Sequence, residues 1–236
     1  MSIKAVVFDI GRTLMEYRDM PNSWQEYYPA AMRNIRDSLK LDVTDDELYE
    51  SLEVFKSYSP RLHYREIDYS PEHIFKDVTK NWRCSVNIPD VIAAFFASMK
   101  LTPLIYDDAV PTLEHLRSMG IKTAALTDVA TGMPDELHKS YFAELLPHLD
   151  KYVSSISCGY RKPSAKGMEE IAEAFSTFPA EMLMVGDEKK DIEVAARFGC
   201  KAILIERDGV FSGMDYGQEL NASNLSQVMD YIKKNA

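Results

Sequence analysis

The stretch Lys4-Ala5-Val6-Val7-Phe8-Asp9-Ile10-Gly11-Arg12-Thr13-Leu14 constrains the fold more than any other part of the sequence. An apolar run this short, closed by a carboxylate and soon after by glycine, reads as a buried strand. Such a strand delivers Asp9 to its carboxyl end, where open α/β sheets place their ligands. Three later segments follow apolar runs with polar residues: Thr127-Asp128, Lys162-Pro163, and Gly186-Asp187 through Asp191. The rest of the chain reads as what brings these four together.

Bulk properties narrow the function classes. With 236 residues, folding buries roughly 70 % or more of the unfolded surface, so no disulfide or metal staple is needed. A formal net charge of -10 argues against nucleic-acid binding, which relies on cationic surface. It does not exclude an anionic small substrate, because a metal ion reverses the local sign. The three cysteines, Cys84, Cys158 and Cys200, are odd in number and far apart, against a disulfide framework or a cysteine zinc site. The five histidines, His63, His73, His115, His138 and His148, show no metal-ligand spacing. Met1 to Lys4 leads into the first strand without a signal-peptide pattern, and no apolar run approaches the ~20 residues of a membrane span. A cytoplasmic protein without a membrane partner is expected, as monomer or homodimer.

After Leu14 the alternation of strand and helix patterns stops, and helical patterns take over at about 23–40, 44–58, 71–83 and 88–100. Thr44 with Glu47 makes a capping box, and Pro71 and Pro89 sit near helix starts, where a missing N–H is harmless. Amphipathic helices in a block need one another's apolar faces. Residues 16–102 are therefore expected to be an all-helical insertion, and 1–15 with 103–236 the α/β part. In that part helices are expected over Asp108–Met119, Asp135–Leu146, Ser164–Phe175, Asp191–Phe198 and Ala222–Lys234. Strands are expected over Ile121–Leu126, Tyr152–Ser155, Met182–Val185 and Ala202–Ile205. Strands and helices alternating in this way imply a doubly wound, mostly parallel sheet with right-handed crossovers.

Each polar segment alone has a bland reading and a chemical one. Asp9 is a turn or N-cap residue, or a carboxylate nucleophile that accepts a phosphoryl group. Asp187 and Asp191 start a loop and cap a helix, or together hold Mg²⁺, which takes one or two carboxylates and keeps water and substrate oxygens. Pro163 keeps Lys162 out of the following helix, leaving a solvated lysine or one that holds Asp9 ionised and neutralises a phosphate. Thr127 is a core residue, or its hydroxyl binds a phosphate oxygen. Arg12 is a surface arginine, or it contacts a substrate anion. Tyr17, Trp24, Tyr27 and Tyr28 are helical core, or they line a pocket for a ring-bearing substrate.

In order and residue type the four segments together resemble the haloacid dehalogenase-like hydrolase superfamily: strand-Asp-x-x-x-Thr-Leu, strand-Thr, Lys-Pro, and Gly-Asp-x-x-x-Asp. The resemblance covers residues 1–15 and about 103–207, and the insertion resembles that family's helical first type of cap. It implies a phosphatase of small phosphorylated metabolites, with Asp9 forming an aspartyl-phosphate that water then hydrolyses. Mg²⁺ would be held by Asp9, Asp187, Asp191 and the backbone carbonyl of Gly11. Lys162 would steady the charges, and Thr127 and Asp128 would contact the substrate.

The first motif departs from the family pattern. Its phosphatases carry a second Asp two residues after the nucleophile as general acid and base; here that position is Gly11, followed by Arg12. Loss of such a group typically lowers the rate roughly 10²–10⁴-fold. The alternatives are an acid from elsewhere, such as the cap or Asp128, a weakened enzyme, a protein that binds an anion or partner, or cleavage of a carbon–phosphorus or carbon–halogen bond. Carbon–phosphorus cleavage would call for a cap lysine, for which Lys40, Lys56, Lys76 and Lys80 are candidates.

Overall fold

Two apolar layers sandwich one parallel sheet, and alternate residues of the first strand feed both. The structure, a computed structural model, describes residues 2–21, 23–209 and 213–235; Met1 and Ala236, the outer bounds expected for the α/β part, lie outside them. Strand β1 (Ala5–Phe8) is followed by β2 (Met15–Arg18), helices α1 (Tyr28–Leu39), α2 (Asp45–Ser57), α3 (Pro71–Val78) and α4 (Ile88–Ala97), and strand β3 (Thr102–Ile105). Next come α5 (Ala109–Ser118), β4 (Lys122–Thr127), α6 (Asp135–Ser140), β5 (Lys151–Ser154) and a single turn α7 (Ser155–Cys158). The remaining elements are α8 (Lys166–Phe175), β6 (Met182–Gly186), α9 (Lys189–Phe198), β7 (Lys201–Ile205), β8 (Leu220–Ala222) and α10 (Leu225–Asn235).

The sheet runs β5-β4-β1-β6-β7-β8, and every neighbouring pair in it is parallel. Numbered along the chain, its strands stand in the doubly wound order 3-2-1-4-5-6. Val6 and Phe8 point to the side of Leu113, Leu116, Val228 and Ile232 from α5 and α10. Ala5 and Val7 point to the other face, against Met168, Ile171, Ile192 and Ala195 from α8 and α9. That is the period-two alternation of a strand buried on both faces. The winding direction reverses at β1, between β4 and β6, so the crevice at the carboxyl ends of these three strands is the expected ligand position.

The four helices between β2 and β3 bury their own aromatic cluster. Tyr28, Phe55, Phe75 and Phe95 are buried in it, with Phe55 and Phe95 centroids 4.7 Å apart and Tyr28 edge-on to Phe55 at 4.8 Å. Thr44 and Glu47 cap α2 reciprocally, at 3.2 and 2.8 Å. Val129 and Met133, from the loop after β4, complete the cluster. Between them Gly132 takes a positive φ of 72°, and a Cβ there would lie 2.9 Å from ring carbons of both Phe55 and Phe75. Only glycine lets this loop press so closely on the helices.

Several expectations are corrected. Residues 16–102 are not all helical, because Met15–Arg18 pairs antiparallel with Thr102–Ile105. Pairing between strands so far apart in sequence leaves no local periodicity to read. The helix expected to reach Leu146 stops at Ser140 and gives way to turns and a 3₁₀ turn, Leu146–His148, that contains Pro147. Ala222 ends β8 rather than starting the last helix. Asn224 caps that helix, its Oδ1 accepting the Gln227 N–H at 3.1 Å. Among the described residues no helix is long and apolar enough to cross a membrane.

Candidate active site

Asp9 follows the last residue of β1, and its N–H donates to the Val185 carbonyl of β6 at 2.8 Å. Thr127 closes β4, with Asp128 next, and Gly186 closes β6, with Asp187 next. Adjacent parallel strands thus bring three of the four polar segments side by side. The fourth arrives from the loop before α8: the Lys162 ammonium lies 2.6 Å from Asp9 Oδ1 and 2.6 Å from Asp191 Oδ1. It also donates to the Leu126 carbonyl at 3.2 Å. The lysine side chain is 1 % exposed and that of Asp191 is fully buried.

Local packing explains the glycine of Gly186-Asp187. A Cβ on Gly186 would lie 2.3 Å from Asp191 Cγ, so the carboxylate fills the space a side chain would need. Asp191 is fixed there from the first turn of α9, its Oδ2 accepting the Glu188 N–H at 2.9 Å. This is an N-terminal helix interaction, where a carboxylate meets free backbone donors.

Electrostatically the cluster is under load. One oxygen each of Asp9, Asp187 and Asp191 lie within 4.8 Å of one another. Burial pushes the Asp9 carboxyl up to about 6, although Lys162 pulls it down. Burial, then Asp9 and Asp191, push Asp187 up to about 8. Burial alone would lower Lys162, but Asp191, Asp9 and Asp128 outweigh it and hold the ammonium protonated well above its ordinary value. Crowded carboxylate oxygens that repel one another fit a hard divalent cation such as Mg²⁺, which takes oxygen donors and relieves the repulsion.

Asp128 is held differently. Its Oδ1 accepts the Lys162 N–H at 3.0 Å, and its Oδ2 lies 3.1 Å from Lys190 Nζ and 3.9 Å from Arg161. Burial would raise its carboxyl, but Lys190, Arg161 and Lys162 win and hold it at about 2. At neutral pH it has no proton to give, so it does not fit the acid role considered from sequence. It braces the lysine loop.

Arg12 is half-exposed, with φ 54°. Its Nη2 donates to Asp208 at 2.8 Å, and its Nε lies 3.4 Å from Asp187 Oδ2. It therefore flanks one of the crowded carboxylates. Gly11 is not dictated by packing: a Cβ there would meet Asp9 Oδ2 at 3.9 Å, ordinary contact, and its φ is not positive. A Cβ would therefore be tolerated where the chain carries glycine.

Other expectations sort out plainly. Tyr28 is buried in the helical core, Trp24 and Tyr27 are partly buried beside it, and Tyr17 packs partly buried against the core of the sheet. Tyr17 packs edge-on against both Trp24, at 5.8 Å, and Tyr141, at 5.4 Å. His115 is on a helix surface. Cys158 is half-buried, its Sγ donating to the Tyr160 carbonyl at 3.2 Å. Lys40, Lys76 and Lys80 are exposed, and Lys56 pairs with Glu53 at 2.8 Å, so none of the four forms an ion pair with the strand-end carboxylates. Lys190 and Arg161 carry no role in the sequence reading, yet both face Asp128. Their signal was adjacency alone, one inside Gly186–Asp191 and one beside Lys162.

A profile of the family described as haloacid dehalogenase-like hydrolase matches residues 3–199. Glyceraldehyde 3-phosphate phosphatase of Methanopyrus kandleri is 30 % identical over 220 residues, 90 % of this chain and 88 % of that protein. GMP/IMP nucleotidase YrfG of Escherichia coli is 25 % identical over 207 residues, 86 % and 82 % of the two chains. Among solved structures, a HAD phosphatase from Thermococcus onnurineus superposes over 98 % of both chains with TM-score 0.65 and 21 % identity. A 2-haloacid dehalogenase from Pseudomonas syringae gives TM-score 0.71 at 18 % identity, over 99 % of this chain and 100 % of the other. At such identities the structural likeness speaks for the fold.

Proposed function

The chain belongs to the haloacid dehalogenase-like hydrolases, and from that premise we propose that it is a Mg²⁺-dependent phosphatase of a small phosphorylated metabolite, with Asp9 as nucleophile. The observation that carries the reading is the buried meeting of Asp9, Asp187, Asp191 and Lys162 at the sheet's switch point. The names of relatives aligned over most of this chain, a phosphatase and a nucleotidase, point the same way.

In this reading Asp9, Asp187, Asp191 and the Gly11 carbonyl would hold Mg²⁺, which supplies positive charge so that an anionic phosphoryl group can approach an anionic nucleophile. An Asp9 oxygen attacks phosphorus; its bond to phosphorus forms as the ester P–O bond breaks. The leaving oxygen departs with the electron pair and takes its proton from water, since position 11 has no acid to offer. Water then attacks the aspartyl-phosphate, the bond to Asp9 breaks, and the carboxylate and inorganic phosphate are released. Lys162 holds Asp9 in line and balances the charge of the transferring group, while the Thr127 hydroxyl donates to one of its oxygens. Arg12 flanks the entrance, and the helices between β2 and β3 cover the crevice as a cap, excluding water during transfer. Leaving groups that need little protonation are favoured.

The test is turnover of a panel of phosphate esters and acyl phosphates by the purified protein, with Mg²⁺ and with chelator, beside Asp9→Asn. Metal-dependent turnover lost in Asp9→Asn is expected; full activity in Asp9→Asn would sink the reading. Gly11 favours a second reading, a family member that binds a phosphate-like anion without turning it over. Any Asp9-dependent turnover above background rejects it.

A further inference from the structure

The loop carrying Lys162 is held from two sides, and one side belongs to the four-helix segment. Between α2 and α3 the chain descends to residues 159–161, where Ile67 and Tyr160 form an antiparallel bridge. The Asp68 N–H donates to the Gly159 carbonyl at 2.9 Å, and the Arg161 N–H donates to the Glu66 carbonyl at 2.8 Å. Above this ribbon the Asp68 carboxylate, 2 % exposed, bridges two arginines: Arg161 Nη1 at 2.6 Å and Arg65 Nη1 at 2.7 Å. Arg161 is itself buried and also donates to the Val129 carbonyl at 2.9 Å. On the other side Asp128 accepts the Lys162 N–H at 3.0 Å and faces Arg161 at 3.9 Å.

We propose that Asp68 is a positioning residue for Lys162, so that the segment outside the sheet completes the catalytic loop rather than only covering it. The role in turnover rests on the phosphatase reading; the tie itself does not. Asp68 and Asp128 divide the Arg161 guanidinium between them. While Asp68 holds it, Asp128 is left to the Lys162 N–H and to Lys190. Without the Asp68 charge, the buried guanidinium has Asp128 as its nearest remaining carboxylate, and a buried cation does not stay unpaired cheaply. Arg161 then competes for the group that braces Lys162, and the ammonium leaves its 2.6 Å contact with Asp9. If these helices move away from the sheet, the loop loosens with them, so closure and competence are one event.

The test uses the full-length protein and two variants. Asp68→Asn keeps hydrogen-bonding capacity but removes the charge; Asp68→Leu with Arg161→Met removes both buried charges at similar volume, guarding against simple misfolding. Amide hydrogen exchange of residues 159–162 is measured beside kcat and KM for p-nitrophenyl phosphate with Mg²⁺. In Asp68→Asn exchange in the loop rises about 10-fold or more, while in the double variant, which leaves no guanidinium to compete for Asp128, the rise is several-fold smaller. In Asp68→Asn misplacement by about 1 Å lowers kcat on the order of 10–100-fold, while KM changes less than about threefold and the double variant recovers part of kcat. Asp68→Glu restores part of kcat. Exchange at the wild-type rate in Asp68→Asn overturns the tie, and raised exchange with unchanged kcat in that variant overturns the positioning role. No turnover by the wild type sinks the phosphatase reading, while exchange still decides the tie.

Discussion

The crevice at the strand ends and the aromatic core of the four helices are both buried, yet they are stabilised in opposite ways. The helical core is Tyr28, Phe55, Phe75 and Phe95 in mutual contact, where each ring removed from water contributes and no partner is obligatory. The crevice is Asp9, Asp187, Asp191 and Lys162, where burial opposes every charge and only mutual placement offsets it. The first region can exchange residues of similar volume; the second cannot exchange one oxygen. In the proposed reading stability and chemistry are therefore assigned to different places, joined at Gly132 and at Arg161–Asp68.

That contrast can be broken most severely at Asp9. Asp9→Asn removes the proposed nucleophile and is expected to lower turnover by roughly 10⁴-fold or more, without loss of thermal stability; a chain unfolded by this change would deny the separation. Phe95→Ala should do the reverse. Truncating this fully buried ring costs about 3–5 kcal/mol in urea unfolding, with kcat of the remaining folded protein within a few-fold. Equal damage to kcat would mean that the helical core tunes the site directly.

Gly11→Asp sharpens the comparison from within the crevice. A Cβ there makes only ordinary contact, and an added acid should raise hydrolysis of alkyl phosphates with poor leaving groups by about 10²-fold, with a smaller gain for nitrophenyl esters. Lowered activity would reveal that another acid already serves.

His138 tests whether a buried titratable group outside the crevice behaves as a plain core residue. Burial, against a weaker pull from Asp135, holds it at about 4, and its Nε2 makes no hydrogen bond. The unfolded chain takes up its proton near pH 6.5 and the folded one resists until about 4. Stability is thus lost as pH falls through that window, by about 2 kcal/mol at pH 5. Unfolding curves of His138→Phe should lose this part of the acid slope.

Asp187→Asn gives the smallest effect. It relieves repulsion with Asp9 and Asp191, so the metal-free protein gains roughly 1 kcal/mol or less. The rise in Tm on adding MgCl₂ should vanish with it. A persisting Mg²⁺ shift would place the ion elsewhere.

The sequence by itself determined the alternation of apolar strands with helices, and hence the doubly wound sheet, because period and turn residues are local signals. It also determined which side chains close the strands: Asp9, Thr127 and Asp187 are each one residue from, or at, the end of an apolar run. Lys162 and Asp191 were legible by type and order, though not by contact. The β2–β3 pairing, the bridge of Ile67 with Tyr160, and Asp68 between Arg65 and Arg161 left no such trace. The strand pairing joins Met15 to Ile105 and Arg18 to Thr102, 90 and 84 positions apart, and the bridge and the Asp68–Arg161 pair each span 93, where no window of sequence spans both partners. The same holds for electrostatics. Asp9 and Asp128 look alike in the sequence, each an aspartate at a strand end, yet one carboxyl stands at about 6 and the other at about 2. Which cations reach a buried carboxylate is settled by packing among distant elements, and so only the tertiary structure decided it.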